Sequence, residues 1–229
     1  GGLNTNLNSL ELLGQPGFAT VLQNYEVDPD GGYRRINGFT AYGSSSAANP
    51  NSSNRILGTF PYADGVIVCS GTNIYFSNTG TSWVQINRSS VSGSGDNYST
   101  FTGRSVLTRT SQGQASFVLF EGADFDYGEV IIADGANKLY SFRMEGTGSI
   151  TDRTFFSAEI TVSGTKGVKY ITIHDHHLIA AGVEDNLNTV FYSVYNDPDN
   201  FSGTGAGSVV ISDQVQGIRG FRTDLIVFA

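Results

Sequence analysis

Short apolar runs, separated by Gly, Asn and Asp, recur along most of the chain. The clearest of them read Val-Ile-Val from Val66, Val-Ile-Ile from Val130, Leu-Ile-Ala from Leu178 and Leu-Ile-Val from Leu225. Each run has the length of one strand and is bounded by residues that favour turns, a pattern typical of short antiparallel strands. The chain is therefore predicted to be all-β.

The apolar runs repeat at regular distances. Those at Val130, Leu178 and Leu225 lie about 47 residues apart, within the range of roughly 40–50 residues for one blade of a β-propeller. Around them the pattern predicts strands at 56–60, 65–69, 73–77 and 83–86, then at 105–110, 116–120, 129–133, 138–143 and 155–162, then at 168–173, 176–181, 189–194 and 208–212, and finally at 215–221 and 223–228.

This grouping predicts β-propeller-like repeats of four-stranded antiparallel blades over residues 46–229, about three blades and the start of another. The second group has one strand more than four, which an insertion around 105–120 or a blade with long outer strands would explain. A β-sandwich with coincidental spacing is the alternative fold.

The N-terminal region, residues 1–45, has a different pattern. Residues 1–17 are polar with scattered leucines and are expected to form an extended arm. The turn Asp28–Gly32 separates two alternating runs at 21–27 and 33–39, which predicts a β-hairpin. The chain stops at Ala229 inside a predicted strand, so the sequence is interpreted as part of a longer polypeptide with an incomplete set of blades.

Composition and charge agree with an all-β protein and exclude some functions. The 229 residues include 29 glycines and only 15% charged residues, as expected for many short strands joined by tight turns. The net charge of −8 argues against binding to nucleic acid through phosphate neutralisation. The single Cys69 is expected to be a core residue, and no segment has the roughly 20 apolar residues of a membrane span.

The most prominent candidate for chemistry is the sequence His174-Asp-His-His177. In an extended strand His174 and His176 would share one face, and two imidazoles on one face are potential zinc ligands. A zinc site needs three or four converging ligands, however, and the chain contains only 3 histidines. A polar turn between two strands is the favoured interpretation.

Paired carboxylates and one serine-rich turn are the other candidates. The pairs Asp28/Asp30, Asp124/Asp126 and Asp197/Asp199 could bind Ca²⁺, although turn formation explains them equally without a ligand. The segment Ser77–Trp83 resembles the Asp-box turn of sialidase-type propellers but is one residue short and lacks the Asp. None of the short catalytic motifs is present, so no catalytic, cofactor-binding or metal-binding residue and no enzyme activity is predicted.

Two stretches resemble a known family. Gly2–Thr5 with Leu22–Phe39, and Tyr192–Phe201 with Val215–Phe228, are similar to the nozzle, or tail stabilisation, proteins of short-tailed bacteriophages. In that family a Ser-x-x-x-Asp-Pro-x-x-Phe turn, here Ser193–Phe201, leads to a new blade.

The resemblance implies a structural virion protein of the phage tail. It implies a homo-oligomeric ring, with six-fold symmetry expected, below the portal and adaptor, which contacts tail fibres and surrounds a channel for double-stranded DNA. DNA would pass non-specifically, and an acidic surface would not retain it. Residues expected to make subunit contacts are Arg34, Arg35, Asp197, Asp199 and Phe201.

Two other functions compete with this one. The first is a carbohydrate-binding propeller, lectin-like or glycosidase-like, in which the Asp pairs and exposed aromatic residues such as Trp83, Tyr98 and Phe201 would bind sugars. The second is a capsid-decoration or baseplate protein of the same viral origin.

Overall fold

A computed structural model describes the chain in segments. These are residues 54–81, 83–86, 113–122, 126–146, 154–163 and 167–229, Tyr42, and the strands Gly2–Leu3, Phe18–Ala19, Tyr25–Val27, Tyr33–Arg35 and Thr100–Gly103. The chain divides into two compact units, Gly1–Ala41 and Tyr42–Ala229. Every regular element in the described segments is a β-strand, so the predicted all-β class is confirmed.

The described strands of the first unit form two pairs. Strand β1 (Gly2–Leu3) pairs in parallel with β2 (Phe18–Ala19). Strand β3 (Tyr25–Val27) pairs antiparallel with β4 (Tyr33–Arg35), and Val27 lies opposite Tyr33. The predicted hairpin is thus confirmed, although its turn at 28–32 lies outside the described residues.

The second unit contains three larger sheets and a hairpin, each formed by consecutive strands. Sheet 1 has the order β5 (Ile56–Tyr62), β6 (Gly65–Ser70), β7 (Asn73–Ser77) and β8 (Val84–Gln85). Sheet 2 has the order β10 (Ser116–Phe120), β11 (Glu129–Ala133), β12 (Leu139–Glu145), β13 (Thr154–Ile160) and β9 (Thr100–Gly103). Sheet 3 has the order β14 (Tyr170–His174), β15 (His177–Val183), β16 (Asn186–Tyr192) and β17 (Gly207–Val210), and the C-terminal hairpin comprises β18 (Gly217–Phe221) and β19 (Asp224–Phe228).

The fifth strand of sheet 2 differs from the prediction. It is β9, which pairs in parallel with β13 at the outer edge of an otherwise antiparallel sheet. The sequence instead predicted an extra strand at 105–110, and those residues lie outside the described segments. Strand β9 escaped prediction because its sequence, Thr-Phe-Thr-Gly, has a single large apolar residue.

The second strands of sheets 2 and 3 are apolar on both faces because both faces are covered by neighbouring strands. In β11, Val130 and Ile132 pack towards sheet 1, whereas Ile131 between them packs towards sheet 3. All five residues of this strand are buried. This two-sided burial explains why the second strands appear in the sequence as continuous apolar runs and not as alternating ones.

Three hydrophobic clusters fill the spaces between successive sheets. The first joins sheets 1 and 2 and includes the aromatic rings of Phe76, Phe142 and Phe155. The second joins sheets 2 and 3, with Leu139 of one sheet and Leu178 of the other fully buried. The third lies between sheet 3 and the C-terminal hairpin. The sheets therefore stack face to face in the order of the sequence.

The first strands of successive sheets also lie side by side. Strand β10 lies beside β14, and β14 lies beside β18. Glycine permits close approach between β14 and β18, where a Cβ atom on Gly220 would lie 3.0 Å from the Ile173 carbonyl oxygen. It does so again between β5 and β10, where a Cβ atom on Gly58 would lie 2.8 Å from the Phe117 ring. Small residues are thus required where the first strands of neighbouring sheets approach each other.

A buried tyrosine hydroxyl connects sheets 1 and 2. The Tyr62 Oη atom donates to the Gly128 carbonyl at 2.8 Å and accepts from the Met144 amide at 3.0 Å. In the opposite direction, Tyr140 of sheet 2 donates to the Ile86 carbonyl of sheet 1. These bonds satisfy buried backbone groups across the interface between the sheets.

Replacing Tyr62 with phenylalanine is expected to lower the free energy of unfolding by about 1–3 kcal/mol, because the Met144 amide and the Gly128 carbonyl both lose their buried partner. Chemical denaturation of the two proteins measures the difference. Tyr195→Phe is the control, since that side chain is 54% exposed. An equal loss in both variants would contradict the role assigned to the buried hydroxyl.

The same two tyrosines predict loss of stability at alkaline pH. Burial raises the pKa of Tyr62 and of Tyr140 well above the ordinary value near 10. The neutral hydroxyl is therefore favoured in the folded state, and its contribution is complete below about pH 10 and is lost as the pH rises further. Above pH 10 each group should reduce stability by up to about 1.4 kcal/mol per pH unit, so denaturation of the double variant Tyr62→Phe/Tyr140→Phe should show a shallower decline.

Candidate functional site

The turns between the first and second strands of the sheets gather at one end of the stack. The Phe60 ring of β5 stacks on the Phe117 ring of β10 at 5.5 Å, and the Gly220 amide of β18 donates to the Thr172 hydroxyl of β14 at 3.4 Å. These contacts align the first strands in the same direction. We call the resulting surface the first-turn end and define it by the described residues 63–64, 121–122, 126–128, 175–176 and 222–223.

The first-turn end is predominantly acidic. Its charged side chains in the described part of the chain are four carboxylates and one guanidinium, namely Asp64, Glu121, Asp126, Asp175 and Arg222. One carboxylate has a structural role, since Asp126 Oδ2 accepts the Gly146 amide at 2.8 Å. The excess of negative charge favours positively charged partners at this surface.

The sequence His174–His177 forms the turn of sheet 3. Asp175 and His176 both have left-handed backbone conformations, with φ of 46° and 59°, and His174 lies opposite His177 across the strand pair. The polar-turn interpretation is confirmed, and His174 and His176 do not belong to one extended strand because the chain reverses between them. No group of three or more metal-binding side chains occurs among the described residues.

Aromatic rings surround this turn. His177 Nδ1 lies 2.6 Å from the Ser193 carbonyl oxygen, which fixes the orientation of its ring. The centroid of the Tyr195 ring is 5.2 Å from that of His176 and 5.7 Å from that of His177. Since Tyr195 is 54% exposed, the cluster presents an aromatic surface to solvent.

A cavity of about 370 Å³ opens beside this cluster, between the ends of β10 and β14. The apolar part of its wall comes from Leu119, Phe120 and Ile173, and the polar part from Glu121, Asp175 and His176. The cavity therefore combines an apolar wall with two carboxylates and an imidazole. It lies between sheets 2 and 3 at the first-turn end.

The Asp-Pro turn lies next to the His-containing turn. The Asn196 amide donates to the His176 carbonyl at 2.9 Å, and the buried Ser193 hydroxyl accepts the Leu178 amide at 3.0 Å. These bonds join the loop after β16 to the start of β15. The turn thus lies within sheet 3, before its fourth strand, and not at the start of a new sheet as the resemblance implied.

The residues of this turn that were predicted to make subunit contacts also contribute to the fold. Asp197 Oδ2 accepts the Asn200 side-chain amide at 3.2 Å, and Asp199 is half-buried. Phe201 is half-buried against the cluster between sheets 2 and 3. Their participation in subunit contacts stays a prediction.

Removing the Asn200 side chain should open this turn locally. Its Oδ1 atom accepts the Ser202 amide at 3.2 Å and the Gly203 amide at 2.8 Å. In Asn200→Ala both amides are expected to exchange hydrogen about tenfold faster or more, with a loss of about 1 kcal/mol in stability. Hydrogen exchange measured by NMR checks this, and unchanged exchange at both amides would contradict it; Asp213→Asn, at an exposed loop carboxylate, is the control.

The remaining candidates lie in other places. Arg34 is the register partner of Glu26, and Arg35 that of Tyr25, in the hairpin of the first unit. Asp28, Asp30, Asp124 and Tyr98 lie outside the described residues.

The turn with Asp-box character is stabilised by its first residue. Ser77 Oγ accepts the Thr79 amide at 3.3 Å and the Gly80 amide at 2.8 Å, so this turn has a structural role. Trp83 is half-buried and meets the Tyr42 ring edge-on at 6.4 Å. Trp83 and Phe201 are therefore less exposed than the carbohydrate hypothesis expected.

The sequence did not identify the cavity or Glu121 as part of a site. Glu121 and Asp175 are 54 positions apart in the numbering and line the same cavity only because β10 and β14 are neighbours. The sequence offered two signals for this site. They are Tyr195, three positions before Pro198 of the Asp-Pro turn, and the His-containing turn itself. Their proximity depends on how the two loops of sheet 3 fold together.

No helix in the described part of the chain has the length and hydropathy needed to cross a membrane. No protein-family model matches the chain, and no curated protein matches it.

Proposed function

We propose that this protein is a structural component of a phage tail, built from β-propeller blades and working in the nozzle ring through which DNA is ejected. One observation carries the proposal: successive antiparallel sheets stack face to face while their first strands lie side by side. Radial repetition of four-stranded sheets around a common centre has this arrangement.

The order of the strands supports the propeller architecture. Sheets 1 and 3 each have four strands in sequential order, and sheet 2 has four such strands with β9 added outside them. The repeated apolar cores at Val66, Val130, Leu178 and Leu225 all lie on second strands. One sequence repeat therefore corresponds to one sheet, as it does in propellers.

The use of polar side chains supports a structural role. Ser77, Asp134 and Asn200 each accept two backbone amides, two and three residues further along, within a turn. These three side chains are thus used to build loops. In a virion protein such loops would meet neighbouring subunits, the portal and adaptor, and the tail fibres.

The proposal includes a homo-oligomeric ring with DNA passing through it. With a net charge of −8 at neutral pH, the chain as a whole repels the DNA backbone. A surface of this kind allows DNA to slide without stable binding. The proposed location of the protein is therefore the tail of the virion.

Labelling of intact particles tests the proposal. Antibodies raised against residues 167–229 and coupled to gold should label the tail, below the portal vertex, in electron micrographs of particles that contain this chain. Label distributed over the capsid shell would instead identify a decoration protein. Particles of the source virus that lack the polypeptide altogether would contradict a virion role.

A further inference from the structure

We infer that the cavity at the first-turn end is a binding site for an arginine side chain presented by a partner protein. This inference is independent of the proposed location in a phage tail, because it rests on the cavity between sheets 2 and 3.

Charge at the cavity is negative. Glu121 and Asp175 line it from two different sheets, and no lysine or arginine is among the described residues that line it. At the same end of the stack Asp64 and Asp126 add negative charge, and Arg222 is the single arginine among the described residues of that end, so the balance is acidic. A cation entering the cavity would thus be attracted by both carboxylates, whereas an anionic ligand would be repelled.

The aromatic groups beside the carboxylates favour a planar cation. His176 lines the cavity, and its ring lies 5.2 Å from that of the exposed Tyr195. A guanidinium can stack on such rings while its N–H groups donate to carboxylates, a combination that the compact, strongly hydrated ammonium of lysine achieves less well. Arginine is for this reason the preferred ligand.

The backbone of the His-containing turn has a left-handed conformation at Asp175 and at His176. Two-residue hairpin turns in which both central residues have positive φ usually carry Asn-Gly, whereas this turn carries Asp175 and His176 at φ of 46° and 59°. Ala63 and Arg222 also have positive φ in the corresponding turns, so this geometry belongs to the turn and holds Asp175 and His176 in fixed positions beside the cavity. Hydrogen bonds from the Asp-Pro turn to His176 and Leu178 hold the two loops of sheet 3 together.

Titration with two small ligands tests the inference directly. N-acetyl-arginine amide, followed by NMR on the chain of 229 residues, should shift the signals of Glu121, His176 and Tyr195. N-acetyl-citrulline amide has nearly the same shape without the charge, and it should bind about tenfold more weakly or not at all. Raising the salt concentration should weaken arginine binding and leave citrulline binding unchanged.

Three variants test the assigned residues. Glu121→Gln and Asp175→Asn should each weaken arginine binding about three- to tenfold, and Asn tolerates the left-handed conformation, so the turn is retained. His176→Gly should also weaken binding while raising Tm, because glycine relieves the backbone cost at this position. The control Asp213→Asn removes a carboxylate from an exposed loop elsewhere and should bind arginine as the parent chain does.

Several results would overturn the inference. Equal affinity for arginine and citrulline amides, or unchanged arginine affinity in all three site variants, would do so. An equal loss of affinity in Asp213→Asn would show that arginine binds the acidic surface non-specifically. Shifts at the same residues with methyl glucoside and none with arginine amide would assign the cavity to a saccharide instead.

Discussion

Replacing Phe142 with alanine is expected to lower the free energy of unfolding by about 3–5 kcal/mol, the largest loss among the substitutions considered for this chain. Phe142 is fully buried between sheets 1 and 2. The centroid of its ring lies 5.7 Å from that of Tyr62, 5.8 Å from that of Phe155 and 6.1 Å from that of Phe76. Truncation removes contacts with three aromatic neighbours from two sheets and leaves a cavity.

Two further variants separate the cavity from other effects of the substitution. Phe142→Leu retains most of the volume and should lose only about 1–2 kcal/mol. Phe221→Ala removes a ring that is 57% exposed and should change stability by less than about 0.5 kcal/mol. Urea denaturation of the three variants measures these differences, and a loss below 1 kcal/mol in Phe142→Ala would contradict the stacking of sheets 1 and 2.

Replacing Gly167 with alanine is expected to lower stability by about 3 kcal/mol, although only one methyl group is added. A Cβ atom at this position would lie 2.5–2.7 Å from backbone atoms of Ala136. The backbone there joins sheets 2 and 3, because the Gly135 amide donates to the Val168 carbonyl at 2.8 Å and the Val168 amide donates to the Asn137 carbonyl at 3.2 Å. Neither the segment around Ala136 nor the segment around Gly167 can move away without breaking these hydrogen bonds.

A matched glycine provides the control. At Gly217 the atom nearest to an added Cβ is a Phe228 ring carbon at 3.5 Å, an ordinary contact distance, so Gly217→Ala should leave stability within about 0.5 kcal/mol. Thermal denaturation of both variants makes the comparison. Similar Tm values for Gly167→Ala and Gly217→Ala would show that the close approach of sheets 2 and 3 at Ala136 does not exist.

Much of the strand order could be predicted because the local pattern and the tertiary environment agree. Strands at 73–77, 116–120 and 129–133 match the predicted bounds, and each combines β-branched or aromatic residues with flanking turn residues. The turn at 77–80 was also recognisable from its Ser, Asn, Thr and Gly. At these positions the residues that define the ends of a strand lie next to that strand in the sequence.

Other features depend on contacts that no local pattern encodes. The turn between β5 and β6 places Ala63 at a φ of 51°, a conformation that its side chain does not favour, so the surrounding strand pairing must impose it. The inter-sheet role of Tyr62 likewise depends on Gly128 and Met144, 66 and 82 residues further along. Pairing across sheets therefore had to be observed and could not be inferred from spacing.

The candidate site was partly predictable for the same reason. The sequence singled out the His174–His177 segment and the Asp197-Pro198 turn, which lie close together because both belong to sheet 3. It did not identify Glu121, which follows the first strand of sheet 2 and lines the same cavity as Asp175 only through the stacking of the sheets. A site formed between two repeats has no signal within one repeat.

The stacking order of the sheets is the central structural claim, and nuclear Overhauser effects between first strands test it most directly. On a sample with labelled aromatic side chains and backbone amides, cross-peaks are predicted between the Phe60 and Phe117 rings, whose centroids are 5.5 Å apart, and between Thr172 and the Gly220 amide. A β-sandwich would pair the sheets differently. The absence of both cross-peaks, together with contacts between the core residues of sheets 1 and 3, would contradict the account.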